Sequence, residues 1–309
     1  MRSFLCLALL TLASPAFAYP VTVQSCDREV TFDAAPTAAV SNDVNLTEMM
    51  LALELTDRMV GFTGINGWNN LDAAMREGVG ELPELAEKYP TKEVLVGAGA
   101  DFYFAGWNYG MRVGGDVTPE ILAPFGIQVY ELSESCTHIM DKEAASMADM
   151  YADILNLGRI FGVEDRAEAL VASYRDELDA ILANLAPLEE APRVFVYDSG
   201  EDTPFTAGRY AMPNALIEAA GGTNVMNDFE KSWSTVGWEA VVERDPEVIV
   251  NYGEVTAEQK RAFMMQNPAF ADMSAVRNDR FVILDYVEAT PGPRNIGAIR
   301  ALAKAFRAP

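Results

Sequence analysis

The sequence predicts an α/β protein in which two strand–helix halves flank a helical segment. Three observations point there. Short β-branched and aromatic runs alternate with helix-capping residues up to residue 140, residues 141–185 carry no strand signal, and alternation resumes at Arg193. At roughly 150 residues per domain, a chain of 309 residues accommodates two such halves.

The elements follow in order. Arg2, an apolar run over residues 4–12 and the small-residue site Ala16-Phe17-Ala18 read as a secretory signal peptide cleaved before Tyr19, with the periplasm as destination. Cys6 sits inside the apolar run rather than at the cleavage point, which argues against a lipid-anchored cysteine. No later stretch approaches the about 18 apolar residues of a membrane span, so a soluble protein without membrane insertion is expected. Residues 21–23 and 29–32 read as a hairpin around Cys26, and residues 38–41 as a strand. Asn45 is expected to cap a helix over 46–55, followed by a strand at 58–62. Thr91 caps a short helix ending near Gly97, and residues 101–105 form a strand. Thr118-Pro119-Glu120 opens a helix that Gly126 ends, and residues 127–132 form the next strand. Within 141–185, Leu170, Tyr174, Leu178, Ile181, Leu182 and Leu185 fall on one helix face, and Gly158 with Gly162 divides the region into two helices, the second long. Strands are expected at 193–197, 247–251 and 281–285, with helices opened by Pro213 and Thr256 and a last helix over 295–306. The resulting divisions are 1–18, 19–140, 141–186 and 187–309.

Charge removes whole classes of function. Lys and Arg total 23 against 46 Asp and Glu, a formal net charge of −23. Without clustered basic residues the chain does not hold a nucleic-acid backbone. A single histidine, His138, excludes a His-cluster zinc site. Beside Cys136 it offers a nucleophile pair only at the expense of a disulfide, and a packed or surface histidine is the plainer reading. There is no Gly-x-Ser-x-Gly elbow and no Gly-Lys-Ser/Thr phosphate loop, and Gly97-Ala98-Gly99 lacks the third glycine of a dinucleotide loop. In an oxidising compartment Cys26 and Cys136 are expected to pair, with two separate buried thiols as the alternative.

The two halves share a matched segment. Glu93 precedes Asp101 by eight positions and Glu239 precedes Glu247 by eight, each glutamate following a cap (Thr91, Gly237) and each second acid opening a buried strand. A carboxylate in a first helical turn is favoured by the helix dipole alone. The repetition adds pseudo-symmetry between two lobes.

The order of these segments resembles the periplasmic substrate-binding proteins that serve ABC importers of iron–siderophore complexes, haem and vitamin B12. The residues that carry the resemblance are Arg28-Glu29-Val30-Thr31-Phe32, Asn45-Leu46-Thr47-Glu48, Asp57-Arg58-Met59-Val60-Gly61, Tyr89-Pro90-Thr91-Lys92-Glu93, the run from Asn214 to Asn224, Trp238-Glu239-Ala240, Asp245-Pro246-Glu247-Val248-Ile249-Val250 and Pro291-Gly292-Pro293-Arg294. Gly99-Ala100-Asp101 departs from the family's more frequent Lys-Pro-Asp. The resemblance implies two α/β lobes joined by one long rigid helix, with a ligand cleft between them. It also implies docking on a two-fold ABC permease with its ATPase through one glutamate per lobe, here Glu93 and Glu239.

Ligands of parallel sheets bind beyond the carboxyl ends of the strands. Residues at or near those ends are Asn42, Trp68, Trp107, Tyr109, Tyr197 with Asp198 and Ser199, Tyr252 and Tyr286, with Trp233 in the loop before the Glu239 helix. Aromatics suit a large planar or greasy ligand, although each also suits ordinary packing. Arg112 and Arg209 suit an anionic siderophore or a propionate, or else solvent. The expectation is a monomeric periplasmic binding protein, not an enzyme, with no intrinsic cofactor and no metal held by protein alone. Its ligand is expected to be a metal chelate, a ferric siderophore before a corrinoid and a corrinoid before haem. Direct Zn²⁺ or Mn²⁺ binding by carboxylates is a weaker alternative, and an exported α/β enzyme or a transporter-independent ligand sensor is the alternative of another class.

Overall fold

The structure, a computed structural model, describes residues 19–66, 71–252 and 254–308, with backbone alone at 252, 254 and 255. The signal-peptide segment, Trp68 and the side chain of Tyr252 lie outside the described residues.

Each half is built on a parallel sheet. The first runs in the order Glu84–Ala86, Met59–Thr63, Ala39–Asn42, Phe102–Trp107, Gln128–Glu131, with Gly110–Met111 beside the end of Phe102–Trp107. The second runs Thr223–Asn224, Arg193–Tyr197, Val248–Tyr252, Phe281–Leu284. Every residue from Phe102 to Trp107 is buried, as a central parallel strand covered on both faces requires. The matched segments show the same construction in both lobes. The Asp101 carboxylate accepts the Ala38 N–H at 3.0 Å, and the Glu247 carboxylate accepts the Arg193 N–H at 2.9 Å, each tying its strand to the neighbouring one.

Cys26 turns the antiparallel hairpin Val21–Ser25/Arg28–Phe32 and is disulfide-bonded to Cys136, 110 positions away. Such a bridge stabilises by about 2–4 kcal/mol, chiefly by restricting the unfolded chain. It also pins the helical turn Ser133–His138, which carries two residues used below.

The middle region holds two helices, Met147–Phe161 and Glu164–Ala183. Ser146 and Asp149 form a reciprocal capping box at the start of the first, and Gly162, with φ 69°, ends it. Gly158 does not break the helix, contrary to the sequence expectation. It is an interior position where a Cβ would stand 2.3 Å from that of Ala167, so glycine there lets the two helices approach closely. Leu170, Val171 and Tyr174 pack against the first lobe's core, and Leu178, Leu182 and Leu185 against the second's. The second helix and the turn that follows it therefore span the two lobes.

Asn45 is not the cap of its helix. Asp43, at φ 67°, caps Val44–Ala52 through the Val44 N–H at 2.7 Å. Buried within that helix, Asn45 donates to the Pro291 carbonyl at 2.8 Å, across the lobes. The same seam holds Arg294, whose guanidinium meets Glu48 and, at 2.6 Å, Asp72. Asp285 ends no strand; with Glu288 it forms the capping box of a short helix, Tyr286–Ala289. Among the described residues no helix is long and apolar enough to cross a membrane.

Candidate functional site

A cavity of about 380 Å³ opens between the lobes. Asn108, Tyr109 and His138 line it from the first lobe. Asp198, Phe205, Ser232, Trp233, Tyr286 and Thr290 line it from the second. Asn108, Asp198 and Tyr286 come within two residues of the ends of Phe102–Trp107, Arg193–Tyr197 and Phe281–Leu284, so the cavity lies beyond the carboxyl edges of both sheets.

Backbone geometry sets the first wall. Asn108 sits at φ 67° and Gly110 at φ 99°, where a Cβ would meet the Tyr103 hydroxyl at 2.3 Å and Asn42 at 2.6 Å. That turn presents Asn108 and Tyr109 to the cleft. The Asn108 side-chain amide faces His138 Nε2 at 3.2 Å, and the Asn108 backbone carbonyl accepts the Tyr89 hydroxyl. Burial lowers the His138 pKa, so the imidazole is neutral at pH 7.

The second wall is an aromatic pair on a two-stranded ribbon. In the antiparallel strands Phe205–Ala207 and Trp233–Thr235, Ala207 stands opposite Trp233, which makes Phe205 its diagonal neighbour on the same face. Their rings stack 5.7 Å apart at 21°. Behind them, Tyr286 donates its hydroxyl proton to Asp43 Oδ2 at 2.8 Å, joining the lobes at the cleft. Burial raises the Asp43 pKa to about 6 against the hydrogen bonds from Tyr286 and Val44, which lower it.

A second contact between lobes lies nearby. The helix Met212–Ala219 has no side-chain cap of its own, and Glu134 from the first lobe accepts the Met212 N–H at 3.2 Å. Glu134 is fully buried, and burial pushes its pKa up to about 8.

Of the expected ligand residues, Tyr109, Trp233 and Tyr286 line this cleft. The others that are described do not line it. Trp107 is buried and donates from Nε1 to Glu131 Oε1 at 2.9 Å; Glu131 in turn is held by Arg28 at 2.6 Å. Tyr197 packs edge-on against Trp238, centroids 5.2 Å apart, in the second lobe's core. Asn42 is a buried brace, its amide donating to the Thr63 hydroxyl at 2.9 Å and accepting from the Gly110 and Asp43 N–H groups at 3.1 Å. Arg112 lies over the Tyr89 ring at 5.3 Å, in a separate groove with Glu93. Arg209 donates to the Asn227 carbonyl at 2.8 Å and meets Glu230 at 3.5 Å. Asn108, His138, Phe205, Ser232 and Thr290 were not expected, whereas Asp198 was read at its strand end. An Asn-x-Gly turn after a buried strand signals Asn108, and Asp198 follows a strand end directly. The Phe205–Trp233 pairing has no local signal.

Glu93 and Glu239 stand in the first turns of Lys92–Gly97 and Trp238–Glu243, both exposed. Its own backbone N–H, then the Thr91 side chain, hold the Glu93 carboxyl below its usual pKa.

Residues 114–287, more than half of the chain, match the family described as periplasmic binding protein. An uncharacterized ABC transporter substrate-binding lipoprotein of Bacillus subtilis is 25% identical, over 93% of this chain and 86% of that one. A cobalamin-binding protein of Halobacterium salinarum is 27% identical, over 95% of this chain and 76% of that one. Among solved structures, an ABC-type Fe³⁺-hydroxamate transport system protein of Saccharomonospora viridis superposes with a TM-score of 0.78 at 26% identity, over 94% of this chain and all of that one (100%).

Proposed function

The chain belongs to the periplasmic binding protein family, and on that premise we propose that it captures a metal chelate between its lobes and delivers it to an ABC permease. The observation that carries this reading is the aromatic-walled cavity beyond the carboxyl ends of two parallel sheets, one in each lobe. A ferric siderophore remains the first candidate and a corrinoid the second. The names of the Saccharomonospora viridis and Halobacterium salinarum relatives support one each. The apolar run and small-residue site within residues 1–18 support export to the periplasm.

Glu93 and Glu239 are the proposed docking residues. Their support is internal repetition: each is exposed, each stands in the first turn of a six-residue helix, and each precedes an acid that ties two strands together. A carboxylate so placed is available for a charge-assisted, bidentate contact with a permease arginine.

Tryptophan fluorescence tests the binding reading, because Trp233 lies in the cavity wall. Titration of the purified chain with ferric trihydroxamates and cobalamins is expected to give saturable quenching at one chelate per chain. Absence of saturable quenching by every member would contradict the reading.

A further inference from the structure

The charge and hydrogen-bonding state of the cleft narrow the cargo within the proposed chelate class. Asp198, which accepts the Ser199 hydroxyl at 2.7 Å, is the one carboxylic side chain among the described lining residues, and none of them is a lysine or arginine. The two arginines that would have met an anion are engaged elsewhere, Arg112 over Tyr89 and Arg209 with Asn227 and Glu230. Lys260 stands with its amine 5.8 Å from the centre of the Tyr197 ring. It is near enough to feel Asp198, yet it is not among the lining residues. At most it offsets Asp198 and leaves the wall neutral.

Three of the lining donors are already committed. Tyr286 gives its proton to Asp43, Thr290 donates to the Tyr286 carbonyl at 3.1 Å, and Asn108 turns its amide nitrogen toward His138. Carboxylates and catecholates only accept hydrogen bonds, so here they would meet fewer free donors and lie beside a like-charged carboxylate. The formal charge of −23 adds a repulsive field to their approach.

We propose that the cleft selects a chelate without net negative charge that presents N–H groups, and that Asp198 is the residue that reads them. The amide rim of a corrinoid and an uncharged or ammonium-bearing trihydroxamate meet this description. Triscatecholates, citrate complexes and a porphyrin with free propionates do not. The proposal rests on the reading of the cavity as a chelate site.

Its test compares probes of different charge on the purified chain: ferrioxamine B (cationic), ferrichrome and cyanocobalamin (uncharged), ferric enterobactin and haemin (anionic). At least one cationic or uncharged probe is expected to bind about tenfold or more tighter than either anionic one. Asp198→Asn is expected to weaken that probe by about tenfold, the loss of one charge-assisted hydrogen bond. Asp198→Lys is expected to weaken it further and to gain affinity for an anionic probe. Tightest binding of an anionic chelate, or an Asp198→Asn variant with unchanged affinity, would overturn the charge rule while leaving the chelate reading intact. Failure of every probe to bind would sink both.

Discussion

Changing Glu93 and Glu239 together to alanine is expected to remove transport and to spare chelate binding. Neither side chain lines the interlobe cavity, and both are exposed in first helical turns. Chelate affinity should therefore stay at the parent value. Truncating one partner of a charge pair that is buried and hydrogen-bonded in the docked complex costs about 2–5 kcal/mol. With one docking carboxylate removed from each lobe, uptake through the cognate importer should fall by about a hundredfold or more. Each single variant should retain partial uptake, because the other lobe still docks. A double variant that transports normally would rule out docking through these glutamates. One that loses affinity for the chelate would instead assign them to the ligand.

Folding stability is expected to fall as pH rises from about 5 to about 8, by an amount on the order of a few kcal/mol. Three buried carboxyls produce the slope. Burial lifts Asp43 to about 6, Asp153 to about 7 and Glu134 to about 8, from ordinary values of 3.8, 3.8 and 4.5. Asp153 is held by the Tyr130 hydroxyl at 2.8 Å and by Ser133, and Glu134 by the Met212 N–H, with Lys142 and Asp149 nearby. In each case the folded pKa lies above the unfolded one. The folded chain thus holds more protons in the window between them, and acid favours it. Chemical denaturation at about pH 5.5 and about pH 8.5 should show the higher midpoint at the lower pH. Glu134→Gln keeps an oxygen for the Met212 N–H and cannot ionise, so it should flatten the upper part of the slope. A midpoint that rises with pH across this window would contradict these assignments.

The fold was readable wherever local chemistry decides it. Thr91 caps Lys92–Gly97, Thr118-Pro119 opens its helix, and Gly162 ends Met147–Phe161, each through a rule that acts within four residues. Asn45 misled because Asp43, two residues earlier, takes the cap in a left-handed conformation, leaving Asn45 free to bridge to Pro291, 246 positions away. Gly158 misled because close helix packing and helix termination both use glycine, and only the neighbouring Ala167 distinguishes them. Strand ends point to Tyr109 and Tyr286, which line the cavity. The same rule also added Trp107 and Tyr197, whose directions are set by packed partners outside the cavity, buried Glu131 for one and half-buried Trp238 for the other. A strand's carboxyl end places the backbone near the cleft, but pleat and packing decide which side chain faces it. His138 reaches the cavity on a turn pinned by the disulfide, and Phe205 meets Trp233 through a ribbon that no local pattern announces.

A chelate seated between the lobes underlies both the transport and the selectivity readings. Anomalous scattering at the metal edge, from a crystal of the chain grown with its tightest-binding chelate, tests that placement most directly. One metal peak is expected in the cavity bounded by Tyr109, Trp233 and Tyr286. A metal peak in the groove beside Glu93 and Arg112, or on the surface of either lobe, would contradict it.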